Sequence, residues 1–332
     1  MKKERKLISL AVALLVLIGA FAGYAPAASA AIDYSVSVIS ADVIQEAGPP
    51  LAGIPASFSV LTPAAPGTRV SRNQKSEIDY SNTRDGYVMV KYLQRTNKPL
   101  KVRITGPDSV NYDYNLTSSG SFEVFPLTVG NGSYTVGVFE QIEGSRYSTS
   151  GSVTFSVTLS DEFAPYLRPN QKVNFNTNST VVERATELVR GSSTVIAKVS
   201  EVYNFVISNI SYDRTFAAEV VRGMHVGYVP NVDSVLERGR GICYDYSALM
   251  TSMLRSQGIP TRLVMGYVGA DQVYHAWIDV YSSETGWINN VIQFNGRDWR
   301  LMDPTFASTS NQSAESIRLI GDGTSYRVRF MY

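Results

Sequence analysis

The sequence contains very little cysteine and histidine, and this limits the chemistry that it can carry. Its 332 residues include one cysteine, Cys243, and two histidines, His225 and His275. A single cysteine cannot form an internal disulfide, so this thiol is not a structural crosslink. Any chemistry that needs a thiol or an imidazole therefore depends on these three side chains.

The sequence also lacks an excess of charge of either sign. The formal net charge is +1, and no block of basic residues would follow a phosphate backbone, which excludes nucleic acid as an expected partner. After the N-terminal segment, no apolar run is long enough to span a membrane.

The N-terminal segment has the pattern of an export signal. Four basic residues lie within the first six positions, an apolar stretch covers residues 7–21, and Ala28-Ser29-Ala30 provides small residues for cleavage. An uncleaved membrane anchor is the alternative, and no cysteine follows that would accept a lipid. We expect cleavage after Ala30, a secreted or cell-surface protein, and no membrane contact after cleavage.

The length and the hydrophobic fraction of 44% predict two domains after the signal at 1–30. Residues 31–85 are rich in Pro, Ala and Ser and predict a linker or a partly ordered segment. Residues 86–160 predict a small all-β sandwich, like immunoglobulin or fibronectin type III domains. Its clearest strands are Tyr87–Tyr92, Lys101–Ile104, Ser121–Phe125, Tyr134–Phe139 and Ser152–Thr158.

Residues 161–332 predict an α+β domain, which we expect to be the catalytic one. Helical spacing covers Val181–Val189 and Thr194–Ile210, and strand patterns cover Thr261–Val268 and Val273–Tyr281. Asn295-Gly296 is a hairpin-turn signal between two further strands, Val291–Phe294 and Trp299–Met302.

Cys243 lies where a predicted helix begins, just after Gly239 and Gly241. Apolar residues at Tyr246, Leu249, Met250, Met253 and Leu254 predict one buried face of this helix. The positive end of a helix dipole and the unpaired backbone N–H groups both favour thiolate over thiol. The glycines leave room for a substrate to approach. An inert buried cysteine is the alternative for this position taken alone.

A nucleophilic thiol needs a base and a group that orients the base. His275 shares one face of its strand with Trp277, so that its imidazole can project toward the Cys243 helix. His225 lies in a loop-like stretch that predicts a solvated side chain. Asp303, at a strand end before Pro304, is favoured over Asp279 as the orienting acid.

Four segments in this order resemble the transglutaminase-like family. They are 239–249 around Cys243, 255–264 with Gly258-Ile259-Pro260, 274–277 with His275, and 299–305 with Asp303. The resemblance covers about residues 165–310 and implies a papain-like core, in which a nucleophile helix packs on an antiparallel sheet. It also implies that Cys243, His275 and Asp303 form a catalytic triad.

The resemblance implies an exported thiol acyltransferase of bacterial type. The Cys243 thiolate attacks a carboxamide such as a glutamine side chain, and an amine or water resolves the thioester. The backbone N–H of Cys243 and the hydroxyl of Tyr212 are candidate oxyanion donors, and Trp277 is a candidate substrate contact. A cysteine peptidase or amidase and a non-catalytic cell-surface peptide-binding protein remain open.

The expected partners are a protein or peptide substrate, with cell-wall or surface proteins as candidates, and a primary amine as acyl acceptor. Animal members of the family use calcium, but no carboxylate-rich loop in this sequence resembles a calcium site. We therefore expect no metal and no cofactor.

Overall fold

The computed structural model describes residues 59–269, 272–289 and 326–332, together with the backbone of 292–294 and 299–301. The described residues all lie within one compact unit, 55–332. The predicted signal, the first half of the predicted linker and Asp303 lie outside the described residues.

The first part of this unit is all-β, as predicted. It contains eight strands among the described residues: β1 (Val70–Arg72), β2 (Ser76–Asp79), β3 (Tyr87–Tyr92), β4 (Leu100–Thr105), β5 (Asn111–Leu116), β6 (Glu123–Pro126), β7 (Gly132–Glu143) and β8 (Arg146–Val157). They form two antiparallel sheets with the orders β1-β2-β3-β6 and β5-β4-β7-β8. Strict alternation of buried and exposed residues along β5 shows that one face is turned to the core.

The second part mixes helices with an antiparallel sheet. The helices of the described residues are α1 (Thr180–Leu188), α2 (Val195–Asn209), α3 (Arg214–Val221), α4 (Val232–Arg238) and α5 (Cys243–Ser256). Its described strands are β9 (Ser211–Tyr212), β10 (Arg240–Gly241), β11 (Thr261–Val268), β12 (Val273–Ser282), β13 (Gly286–Ile288), β14 (Ile292–Phe294), β15 (Trp299–Leu301) and β16 (Tyr326–Met331). The predicted α+β fold with a helix packed on an antiparallel sheet is confirmed.

The core sheet has the order β13-β12-β11-β16, and the two short strands β9 and β10 pair in parallel beside it. The strands β14 and β15 pair as an antiparallel hairpin, as predicted, and the turn at Asn295-Gly296 lies outside the described residues. The two helices α3 and α4 were missed because they are short and lack a long apolar repeat.

Helix α5 is the centre of this part. It packs against α1, α2, α4, β11 and β12. The sequence pattern predicted one buried face, but every residue from Tyr244 to Ser256 is buried. The other faces of the helix carry polar side chains, several of which bind backbone oxygens. The hydroxyls of Ser252 and Ser256 donate to backbone oxygens of the same helix at 2.8 and 2.7 Å.

The two parts share one hydrophobic core, which includes Tyr112 and Tyr114 of β5 and Tyr332 beside the core sheet. The Thr128 hydroxyl also donates to the backbone oxygen of Met331 at 2.8 Å. The domain boundaries predicted at residues 86 and 161 stay predictions. Within the described ranges, no helix combines the length and hydrophobicity that crossing a membrane requires.

Candidate active site

Cys243 is the first residue of α5, and its thiol is free and only partly buried. Ile242 precedes it in an extended conformation, with φ −102° and ψ 177°. No side chain caps this end of the helix from Ile242, so backbone N–H groups of the first turn remain directed toward the region of the thiol. The predicted placement of the only cysteine at a helix N-terminus is therefore what the structure contains.

The two glycines before Cys243 have structural reasons for being glycine. Gly239 ends α4 with a positive φ of 62°, a conformation that side chains with a Cβ rarely adopt. A Cβ on Gly241 would lie 2.4 Å from the Cβ of Asp245. The tight connection between α4 and α5 therefore requires glycine at both positions, independently of any space for a substrate.

Tyr212 lies beside the residues that lead into Cys243. It pairs with Gly241 in the parallel β9–β10 register, and the backbone N–H of Asp213 donates to the Gly241 oxygen at 2.9 Å. The side chain of Tyr212 is partly buried against the core that Cys243 also contacts. The structure thus brings Tyr212 and the Cys243 turn together, while its role as an oxyanion donor stays a prediction.

His275 is buried on β12, opposite Gly266 of β11. Its ring stacks on Trp277, with centroids 6.4 Å apart and planes at 20°. Ala276 and Ile278, on the other face of the strand, belong to the large core around α5. The predicted alternation is therefore present, but the body of α5 covers the face that carries Ala276 and Ile278.

The contact between the Cys243 thiol and the His275 imidazole stays a prediction. Tyr274 precedes His275 on β12, and burial raises its pKa while the charge of Arg329 lowers it. Half of the Tyr274 side chain is exposed, and its hydroxyl lies 3.7 Å from Sδ of Met265. Helix α5, which begins with Cys243, packs against β12.

Trp277 is 1% exposed and packs edge-on against Tyr326 at 5.1 Å between ring centroids. Its indole N–H has no hydrogen-bond partner within the described part of the chain. This burial favours a packing role for the ring beside His275, and a substrate contact by Trp277 stays a prediction.

Of the two carboxylates considered as the orienting acid, the structure describes only one. Asp279 is buried and lies four residues beyond His275 on the same strand, a separation of about 13 Å along an extended chain. It therefore cannot reach the His275 ring from its own strand. Asp303, the favoured acid, lies outside the described residues.

His225 contacts residues of α3. Its Nε2 is 2.8 Å from Oε2 of Glu219, and its ring packs against Phe216 with centroids 4.8 Å apart. Both members of the pair are about one-third exposed. A surface interaction of this kind agrees with the solvated side chain that the sequence predicted.

The sequence reasoning missed a buried carboxylate in the first turn of α5. Asp245 is completely buried and accepts a hydrogen bond from the backbone N–H of Ile242 at 2.7 Å. The Tyr228 hydroxyl and the Arg238 guanidinium also donate to it. The signal was present, because an acidic residue at the third helical position often binds the backbone N–H at the start of the helix.

A profile of the transglutaminase-like superfamily matches residues 182–290. The matched segment includes the Cys243 helix and the His275 strand. Residues 182–290 form a transglutaminase-like core. This confirms the family resemblance of the sequence, and it supports a cysteine-dependent enzyme in general terms.

The chain is also similar to the uncharacterized protein YebA of Bacillus subtilis (strain 168), with 35% identity over a stretch that covers 17% of this chain and 10% of that protein. The chain thus spans about a tenth of the length of the curated relative that it matches.

Two solved structures share weaker likeness. One is a candidate cysteine protease from Cytophaga hutchinsonii, with 16% identity, a TM-score of 0.37, and coverage of 80% of this chain and 74% of that one. The other is red sea bream transglutaminase, with 13% identity, a TM-score of 0.29, and coverage of 68% and 48%. At such scores these likenesses carry no argument about activity.

Proposed function

We propose that this protein is an exported cysteine-dependent acyltransferase that acts on carboxamides of proteins or peptides. The observation that carries the proposal is the partly buried Cys243 thiol at the N-terminus of α5, a helix that packs against the His275 strand. A helix N-terminus favours the thiolate, which is the nucleophilic form. The transglutaminase-like core at 182–290 supports this choice.

In the proposed reaction, His275 takes the proton of Cys243 and Asp303 accepts the Nδ1–H of the imidazole. The thiolate attacks the carboxamide carbon, ammonia leaves with the proton from His275, and a thioester remains on Cys243. A primary amine then attacks the thioester, giving an isopeptide bond and the free thiol. Water in place of the amine gives a carboxylic acid.

The tetrahedral oxyanion needs hydrogen-bond donors in both steps. The backbone N–H of Cys243 is one candidate, because it belongs to the first turn of α5. The hydroxyl of Tyr212 is the second candidate, because β9 lies directly beside β10 and the Cys243 turn.

Alkylation of the thiol tests the proposal without a substrate. The protein beginning at Ala31 is labelled with iodoacetamide across pH, beside a His275→Ala variant. We expect wild-type Cys243 to react well below the ordinary thiol pKa of about 8.5, and His275→Ala to lose that low-pH reactivity. Since Cys243 is the only cysteine, every label reports this site.

His225→Ala is the matched control, because it removes the only other imidazole, which contacts Glu219 and Phe216 of α3. It should label like the wild type. If wild type and His275→Ala both titrate like a free thiol, catalysis is rejected and a non-catalytic peptide-binding protein becomes the preferred function.

Product masses separate acyl transfer from hydrolysis. The protein is incubated with a glutamine-containing peptide and a primary amine. Attachment of the amine with loss of ammonia identifies an acyltransferase, conversion of the carboxamide to an acid identifies an amidase, and a shortened peptide identifies a peptidase. A Cys243→Ser variant should give none of these products.

Export is part of the proposal and has its own test. Expression of the complete chain in a bacterial host, followed by N-terminal sequencing of the extracellular protein, should give a chain that begins at Ala31. If the chain keeps residues 1–30 and stays in the membrane fraction, the segment is an uncleaved membrane anchor and the proposed cleavage is rejected.

A further inference from the structure

A three-residue network holds the turn that leads into the nucleophile. The Asp245 carboxylate receives the Tyr228 hydroxyl at 2.5 Å and Nη2 of Arg238 at 3.1 Å on Oδ1. Its other oxygen, Oδ2, receives the backbone N–H of Ile242 at 2.7 Å. The residue that directly precedes Cys243 is thereby fixed to the first turn of α5.

Arg238 connects this carboxylate to the rest of the turn. Its Nε donates to the backbone oxygen of Arg240 at 2.7 Å, and its Nη2 also donates to the Tyr228 hydroxyl at 3.2 Å. The guanidinium therefore binds the α4–α5 connection on one side and Asp245 on the other. It is 37% exposed, whereas the Asp245 side chain is completely buried.

The electrostatics of the three groups are coupled. Burial raises the pKa of Asp245, while the hydrogen bonds from Tyr228 and Ile242 and the charge of Arg238 oppose that rise. Burial and the bond to Asp245 raise the pKa of Tyr228 to about 12, so that its hydroxyl stays a donor. The hydrogen bonds from Tyr228 and Ile242 lower the pKa of Asp245 more than the charge of Arg238 does.

A negative charge two residues after Cys243 would disfavour a thiolate at the helix start unless a cation compensates it. Among the described residues, other charged or titratable groups around the turn include Asp213, which pairs with Arg240 at 3.5 Å, Tyr212 on β9, Tyr244 on α5, and Tyr274 and His275 on β12. Arg238 is the cation that contacts the buried carboxylate directly.

We propose that Asp245 is a positioning residue that fixes the Ile242–Cys243 main chain, and that Arg238 cancels its charge so that the Cys243 thiolate can form. Asp245 acts through the backbone and touches no substrate. The inference rests on the proposed function, because it assumes that the thiolate is the working form of Cys243.

The test compares charge variants in the iodoacetamide labelling assay. In Arg238→Gln the carboxylate is uncompensated, so we expect the pH midpoint of labelling to rise by about one unit and the labelling rate at pH 6 to fall roughly tenfold. Arg238→Lys keeps the cation and should stay close to wild type. The double variant Arg238→Gln/Asp245→Asn removes both charges and should return to within about twofold of the wild-type rate.

Arg184→Gln is the matched control, because Arg184 forms an exposed pair with Glu187 on α1, away from this turn. Hydrogen exchange provides an independent measurement: the Ile242 amide, which donates to Asp245, should exchange faster in Asp245→Ala than in the wild type. A purely structural role would lower stability in these variants without the rescue by the double variant.

The outcomes separate the two proposals. If the wild type labels at low pH and Arg238→Gln labels at the same midpoint, the role of Arg238 is overturned while the proposed function stands. If the wild type itself titrates like a free thiol, the proposed function fails and this inference fails with it.

Discussion

At the scale of single residues, Lys172 is a cation in an aromatic environment. Its ammonium nitrogen lies 5.6 Å from the ring centroid of Tyr114 and 5.7 Å from that of Tyr332. The ion pairs found among the described residues do not include Lys172. Burial, with a smaller contribution from the charge of Lys101, lowers the pKa of Lys172 to about 8. Attraction to the two rings offsets part of this desolvation.

This predicts a pH-dependent contribution to stability. The folded-state pKa of Lys172 lies below the ordinary value of 10.5, so between about pH 8 and 10.5 the unfolded chain binds more protons than the folded protein. The cost of burying the charge is thus complete below pH 8 and disappears as the pH rises through this window. Lys172→Met should be more stable than wild type at pH 7, by at most about 3 kcal/mol.

Urea unfolding at pH 7 and pH 9.5 measures this difference. We expect the advantage of Lys172→Met to shrink at the higher pH, and the exposed Lys98→Met to show no such change. An equal difference at both pH values would contradict a charged, desolvated Lys172 in the folded protein.

At the scale of elements, the close packing of β11 between β12 and β16 depends on Gly266. This residue pairs with His275 on one side and with Val328 on the other, next to an irregularity in the β11–β16 register. A Cβ at this position would lie 2.1 Å from the backbone oxygen of Arg327 and 2.8 Å from Cη2 of Trp277. The backbone oxygen belongs to the sheet and cannot rotate away.

Gly266→Ala should therefore destabilise the protein by about 1–3 kcal/mol, the usual range for overpacking. The added methyl group should also displace the ring of Trp277. Tryptophan fluorescence of the folded protein, recorded at the start of a urea unfolding curve, detects this change. Gly191→Ala is the control, because a Cβ there meets nothing within 4 Å. Equal stability of the two variants would show that β16 does not approach Gly266 as described.

The elements also show what periodicity can and cannot predict. The strand Tyr87–Tyr92 and the strand Thr261–Val268 have the predicted ends, since β-branched and aromatic residues fill them between turn signals. The strand at Asn111–Leu116 was missed because its exposed positions are Asn and Asp, which are rare in strands. Pairing with β4 stabilises it, including a bidentate Arg103–Asp113 ion pair.

At the scale of the whole molecule, the β-rich part and the α+β part are joined by buried contacts. Tyr112 packs edge-on against Phe330 and Tyr332, with centroids 5.1 and 5.9 Å apart. The completely buried Arg255 of α5 donates to the backbone oxygens of Arg168, Thr261 and Tyr332. Removing contacts on one side of this junction should therefore affect both parts.

We predict a single unfolding transition for the unit 55–332. Far-UV circular dichroism reports both parts, whereas the three tryptophans all lie after residue 276. Tyr112→Ala should lower stability by about 3–5 kcal/mol and move both signals to the same lower urea concentration. The exposed Ile142→Ala should change neither. Two separate transitions, or an unchanged tryptophan signal in Tyr112→Ala, would show that the parts unfold independently.

The sequence by itself determined the elements that local patterns encode. Spacing and turn residues predict three features: the only cysteine at the start of a helix, the alternation of His275 and Trp277 along a strand, and the α+β order of the second part. The family resemblance follows from short motifs in a fixed order. None of these requires knowledge of distant contacts.

Only the tertiary structure decided which faces meet. The burial of α5 on all sides, the packing of its body on the Ala276 face of β12 and the binding of Asp245 by Tyr228 and Arg238 bring together residues from different elements. A local pattern shows that a side chain is apolar or charged, but not which partner desolvates it. The energy of a buried charge depends on that partner, and the partner is set by the fold.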